Sequence, residues 1–153
     1  MTVPVRLFGE AGNEDRLAHQ LALGLMRAFA ERGESALTEV TLANGRRADV
    51  LALDAAGRLT IVEIKSCRAD FMSDNKWRDY LEFCDAFYFA VAEDFPVELL
   101  PEDAGLMIAD RWSAHVVREA SLEPLSAARR KAMLIRFGLL AADRFRLSVD
   151  PPL

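Results

Sequence analysis

No apolar run in this chain approaches the ~20 residues that a membrane helix needs, so a membrane protein of helical type is not expected. Cysteine is scarce. Cys67 and Cys84 have neither metal-type spacing nor a nearby histidine pair, which argues against a zinc site and leaves both as small apolar residues of a reducing compartment. Histidine is equally rare: His19 and His115 have no recognisable partner in the sequence, and an ordinary structural role is expected of each. A basic surplus is missing as well. With 19 Lys and Arg against 24 Asp and Glu, the formal net charge is -5, which argues against a protein that coats nucleic acid nonspecifically. It leaves room for a nuclease, because a metal site itself contributes carboxylates. Residues 1–10 lack a basic region followed by an apolar core, so no secretory signal is expected and the cytoplasm is the expected location. Repeats, linkers and low-complexity segments are absent, and 153 residues suit one domain with a sizeable core, expected to span 1–153.

What the chain does have is a concentrated set of charges on two short apolar stretches. Asp49 lies in Ala48-Asp49-Val50-Leu51-Ala52-Leu53, and Glu63 and Lys65 lie in Leu59-Thr60-Ile61-Val62-Glu63-Ile64-Lys65-Ser66. Side chains two apart on a strand share a face, so Glu63 and Lys65 project together. The second stretch is apolar on both faces, the pattern of a strand covered on both sides. Charges at the end of such a strand are costly unless they are paired or bind a metal. A Glu-x-Lys pair alone is an ordinary solvated salt bridge; Asp49 on a neighbouring strand makes it a candidate site.

The surrounding elements follow from periodicity and stop signals. Asn13 is placed to cap a helix over residues 14–32 with Gly33 as its stop, and Leu17, Leu21, Leu25 and Phe29 give it one core-facing stripe. Asn44-Gly45 between residues 36–43 and 46–53 is a hairpin signal. Ser73 or Asp74 can cap a second helix to about Phe83, with Trp77, Tyr80, Leu81 and Cys84 on one side, read as core packing. A fourth strand is expected over 85–92, and two more over 105–110 and 114–118. A last long helix is expected to begin near Pro124, a residue suited to a first helical turn. Its inward stripe is read as Leu125, Ala128, Ala132, Ile135, Leu139 and Ala142, with Met133, Phe137 and Leu140 as a second apolar flank. The order helix, three strands, helix, strand is an α/β sandwich pattern, with strands three and four parallel because a helix connects them.

Gly45-Arg46-Arg47-Ala48-Asp49-Val50 followed by Val62-Glu63-Ile64-Lys65-Ser66 resembles the PD-(D/E)xK nuclease superfamily, in which archaeal Holliday-junction resolvases carry a similar core motif. One extra residue separates Arg from Asp here, and no Pro precedes the Asp. Downstream, Asp70-Phe71, Asp74-Asn75-Lys76-Trp77, Tyr80, Phe83-Cys84-Asp85 and Tyr88-Phe89-Ala90-Val91 resemble the MmcB family of bacterial DNA-repair endonucleases, as do Gly105-Leu106, Ala109-Asp110, Arg118-Glu119-Ala120 and 128–132. The resemblance implies a restriction-endonuclease-like α/β sandwich, a central mixed sheet flanked by helices. It also implies a Mg²⁺- or Mn²⁺-dependent endonuclease acting on damaged or branched DNA, and a homodimer of the kind junction-cutting nucleases form. The flank Met133, Phe137 and Leu140 is a separate hint of a homodimer, unless the subunit itself covers it.

The residues fit that chemistry. Phosphodiester hydrolysis needs an activated water and charge neutralisation on the phosphate and leaving oxygen. Asp49 and Glu63 are the candidate metal carboxylates, with the backbone carbonyl of Ile64 as a neutral oxygen and Lys65 as the ammonium that stabilises developing charge. Glu39 is conditional: a two-residue turn pairs Val40 with Asp49, whereas a three-residue loop over 43–45 sets Glu39 opposite Asp49. Glu14 is the convenient acid from the first helix. Arg46, Arg47, Lys76 and Arg78 are candidate DNA contacts, and Arg129-Arg130-Lys131 forms a further basic group. A nuclease-fold DNA-binding or interaction module without turnover, working in a repair complex, is the competing reading; it has no need of the complete Asp/Glu/Lys set.

Overall fold

The computed structural model describes residues 12–67 and 76–153. A six-stranded sheet in the order β1-β2-β3-β4-β5-β6 forms its centre: β1 (Ser35–Thr41), β2 (Arg47–Leu53), β3 (Leu59–Ile64), β4 (Ala86–Val91), β5 (Gly105–Ala109) and β6 (Ala114–Arg118). The sheet is mixed. β1, β2 and β3 are antiparallel neighbours, β3-β4 and β4-β5 are parallel, and β6 returns antiparallel to β5. Every residue of β3 and β4 is buried, as the two-sided apolar pattern of these segments requires.

Two helical layers cover the sheet. Helix α1 (Asn13–Glu31) buries Leu21, Leu25 and Phe29 against a layer containing Val50, Ala52, Val62, Ile64, Tyr88, Ala90 and Met107, with Leu17 partly packed. Gly12 holds the N-cap position of α1, one residue before the expected Asn13, and makes no side-chain cap bond. Leu51, Leu59, Ile61, Phe87 and Phe89 belong to the other layer, with Trp77, Tyr80 and Phe83 of a 3₁₀ helix (Trp77–Phe83) and Met133 and Phe137 of the last helix, α2 (Ala127–Val149). Trp77 packs at 5.3 Å from Phe87 and 5.7 Å from Phe89, ring centre to ring centre, so it is core. The described part of the expected second helix is therefore 3₁₀ rather than α, and its expected caps Ser73 and Asp74 lie outside the described residues.

The last helix departs from its expected form in two ways. It starts at Ala127, not near Pro124, because the Ser126 hydroxyl caps it by accepting from the Arg129 N–H at 3.2 Å. Its buried side is also not the expected stripe: Met133 and Phe137 are inside, whereas Ile135 and Leu139 are 51% and 63% exposed. Both sides of the helix are apolar, so hydrophobicity leaves its rotation open. Arginines on the Met133–Phe137 side decide it. Arg130 grips Asp85, and Arg144 donates to the Glu39 carbonyl at 3.0 Å. Phe137 is thus covered within the subunit, and the hint of a homodimer drawn from that flank falls away.

Candidate active site

The hairpin loop decides what stands beside Asp49. Leu42 N–H donates to Arg46 O at 2.7 Å, and Gly45 N–H donates to Leu42 O at 3.0 Å, which makes a three-residue loop of 43–45 with Gly45 at φ 84. The left-handed backbone at Gly45 is the one such a loop needs. Of the two registers open to the sequence, the observed one has Thr38 opposite Val50 and Val40 opposite Ala48, so Glu39 stands opposite Asp49.

At this position the strands lose their regular alternation. Glu39 has φ 51, left-handed backbone that a residue with a side chain seldom adopts and that costs of order 1–3 kcal/mol. Leu37 and Val40 pack in one layer although they are three apart, and so do Ala48 and Leu51. One step of the pleat is lost in both strands at once. The Glu39 side chain ends up exposed, 4.0 Å from Arg47.

The β2-β3 ladder stops at Val50 and Val62, and the two acids take over beyond it. Asp49 N–H donates to Glu63 Oε1 at 3.0 Å, and Ile64 N–H donates to Asp49 Oδ2 at 2.8 Å. Each carboxylate therefore closes the end of the other residue's strand. Lys65 follows directly, buried at 4% exposure, with its N–H on the Ala90 carbonyl of β4. Ile64 points its side chain into the α1 layer. Asp49, Glu63 and Lys65 thus meet at the edge of the sheet where β3 ends.

The electrostatics of this pair are unusual. Burial, first, and then the adjacent Asp49 charge push the Glu63 carboxyl far above the usual carboxylate range; the Asp49 N–H and the Lys65 ammonium pull downward without prevailing. A divalent cation would relieve both causes. The donor set suits a hard, oxygen-seeking ion: two carboxylates and neighbouring carbonyls match magnesium, which is held by one or two carboxylates and keeps several waters. Among the described residues no group of three or more His, Cys, Asp or Glu is placed to hold a metal ion.

The other candidate residues are ion-paired or exposed. Arg46 pairs with Asp79 at 3.1 Å and Arg78 with Asp103 at 2.6 Å, while Lys76 and Arg47 are exposed. Glu14, in the first turn of α1, is exposed. Arg130, read from sequence as part of a basic group, is instead the partner of Asp85. Its guanidinium holds that carboxylate in two bonds, one of them 2.7 Å, and Leu59 N–H and Leu125 N–H each add one at 2.8 Å. The sequence marked Asp85 only as part of the family-like Phe83-Cys84-Asp85 run at the start of an apolar strand and gave it no role. Cys84 beside it is a buried free thiol, pushed up to about 12 chiefly by burial.

Residues 10–151 match the family described as DNA repair protein MmcB-like. The chain belongs to the MmcB-like family. With it comes the PD-(D/E)xK nuclease superfamily, whose central mixed sheet between helices is the architecture seen here. A solved structure of a Silicibacter pomeroyi protein of unknown function is 42% identical to this MmcB-like chain, with a TM-score of 0.85 over 88% of this chain and 92% of that one. No curated protein matches the sequence. No helix among the described residues of this MmcB-like chain is long and apolar enough to cross a membrane.

Proposed function

We propose that this MmcB-like protein is a metal-dependent DNA endonuclease of DNA repair, hydrolysing phosphodiester bonds in damaged or branched DNA. The observation that carries the reading is the pair of half-buried Asp49 and buried Glu63 with buried Lys65 beside it, two acids joined through backbone N–H groups. Asp49, Glu63 and the Ile64 carbonyl are the groups that would hold Mg²⁺ or Mn²⁺. When bound, such an ion supplies charge neutralisation on the phosphate and lowers the pKa of a water. Glu63 must give up its proton to serve as a ligand, so its raised pKa links metal affinity to pH. Lys65, whose ammonium acts electrostatically on Glu63, would orient the attacking water and stabilise negative charge as it develops. The buried surroundings of both side chains strengthen that interaction.

The test is nicking of plasmid and of branched DNA with Mg²⁺ or Mn²⁺. Cleavage by the wild type that is lost in Asp49→Ala supports the reading. Metal-dependent binding of the same DNA without any cleavage would leave a nuclease-fold binding module in a repair complex.

A further inference from the structure

The tip of the β5-β6 hairpin carries a cluster that the carboxylate site does not use. Trp112 is 59% exposed, and two guanidinium groups stack over its indole: Arg27 from α1 at 5.1 Å and Arg111 at 4.9 Å from the ring centre. The tip is rigid. Asp110 Oδ1 accepts from Trp112 N–H at 2.7 Å and from Ser113 N–H at 2.9 Å, and Asp110 N–H donates to Ser113 O at 3.0 Å. The turn is also pressed onto α1 at Gly24, where a Cβ would lie 1.8 Å from the Asp110 carbonyl oxygen. Arg27, three residues on, is thereby held beside Trp112.

Two like charges over one exposed ring repel each other, and this chain has acids to spare. Arg32, Arg46, Arg47, Arg78, Arg129 and Arg130 each have a carboxylate within 4.0 Å, whereas no such pair joins Arg27 or Arg111 to a carboxylate among the described residues. Beside Arg111 in sequence, Asp110 has its Oδ1 committed to the turn, and Glu31, one turn of α1 beyond Arg27, makes no ion pair with it. Stacking on an indole leaves the N–H edges of a guanidinium open, and those edges match phosphate oxygens. The position fits as well. β3, β4 and β5 run parallel, so the hairpin tip stands at the same end of the sheet as Glu63 and Lys65, two strand spacings or roughly 10 Å across, about four residues or roughly 13 Å further out along the strands, and on the α1 side.

We infer that Arg27, Trp112 and Arg111 form a site for the phosphodiester backbone of DNA, holding it at the end of the sheet that carries the carboxylate pair. This rests on the DNA reading above and adds where the DNA is gripped. Anisotropy of labelled branched and single-stranded DNA, in EDTA and across a salt series, tests it on the full chain. Arg27→Gln/Arg111→Gln should bind about ten-fold more weakly, and its log–log salt slope should be shallower by about 1.5–2, the loss of two phosphate contacts. Trp112 emission should change on adding DNA to the wild type and not to the double variant; the other tryptophan, Trp77, is buried. An Mn²⁺ thermal shift equal to that of the wild type would show the variant folded and the carboxylate pair intact. Equal affinity and equal slope in variant and wild type would overturn the inference while leaving the DNA reading standing. A wild type that binds neither DNA would end both.

Discussion

Asp85 and Glu63 are buried carboxylates at opposite ends of the same parallel strand pair, and they have opposite fates. Asp85 precedes β4 and faces the start of β3; Glu63 stands near the end of β3. Both are 5% exposed. Burial would raise Asp85 too, but the Arg130 guanidinium and the N–H groups of Leu59 and Leu125 outweigh it and hold its pKa at about 2. Around Glu63 burial wins, reinforced by Asp49. Equal surface exposure therefore does not fix a carboxylate's charge; depth below the surface and the partners do. One end of the strand pair is locked for the fold. At the other, burial and the neighbouring Asp49 disfavour the charged form of Glu63.

The largest effect expected from this contrast is on cleavage. Glu63→Gln should lower metal-dependent DNA cleavage by on the order of 10²–10³-fold, as loss of a directly acting polar group does. Asp85→Asn, assayed well below its melting temperature, should stay within a few-fold of wild type. Folded Asp85→Asn protein that no longer cuts would break the comparison. Next in size, Lys65→Ala should lose about 10²-fold in cleavage while keeping the Mn²⁺-induced rise in melting temperature. A variant that cuts as well as the wild type would reduce Lys65 to a counter-charge for Glu63.

The remaining effects are on stability, and they have opposite signs. A pKa lowered from 3.8 to about 2 makes Asp85 worth about 2 kcal/mol at neutral pH. That support is present above the unfolded value and is lost as pH falls through the folded one. Urea titrations should therefore show Asp85→Asn destabilised at pH 7, with the gap to wild type closing towards pH 2. Glu63 runs the other way: protonated, it is tolerated in the fold below the ordinary carboxylate pKa, and that advantage disappears as pH rises through its elevated folded value. Metal-free Glu63→Gln should consequently melt slightly higher than wild type at pH 8, and Mn²⁺ should reverse the order. A lower melting temperature without metal would mean that Glu63 is satisfied in the fold as it stands.

Much of this was legible beforehand where the signal is local. The strands 47–53 and 59–64, the hairpin at Asn44-Gly45 and the core stripe of α1 all follow from alternation, turn chemistry and helical spacing, and they bring Asp49 near Glu63. The pairing of Asp85 with Arg130 was not legible. An aspartate at the head of an apolar strand reads as a turn residue until Arg130, 45 positions away, closes on it. The cluster at Trp112 was hidden for the same reason, since Arg27 and Arg111 meet only through the contact at Gly24.

The sequence by itself determined which segments pair as strands and that two acids and a lysine share one end of them, because strand periodicity and turn preference act over a few residues. Only the tertiary structure decided among the choices those rules leave open. Loop hydrogen bonds selected the three-residue turn, setting Glu39 opposite Asp49, and a left-handed backbone then turned its carboxylate out to Arg47. Arg130 and Arg144 selected which apolar side of α2 went inward, burying Phe137 and exposing Leu139. Each of these outcomes depends on a partner far away in the chain, and local pattern carries no record of that partner.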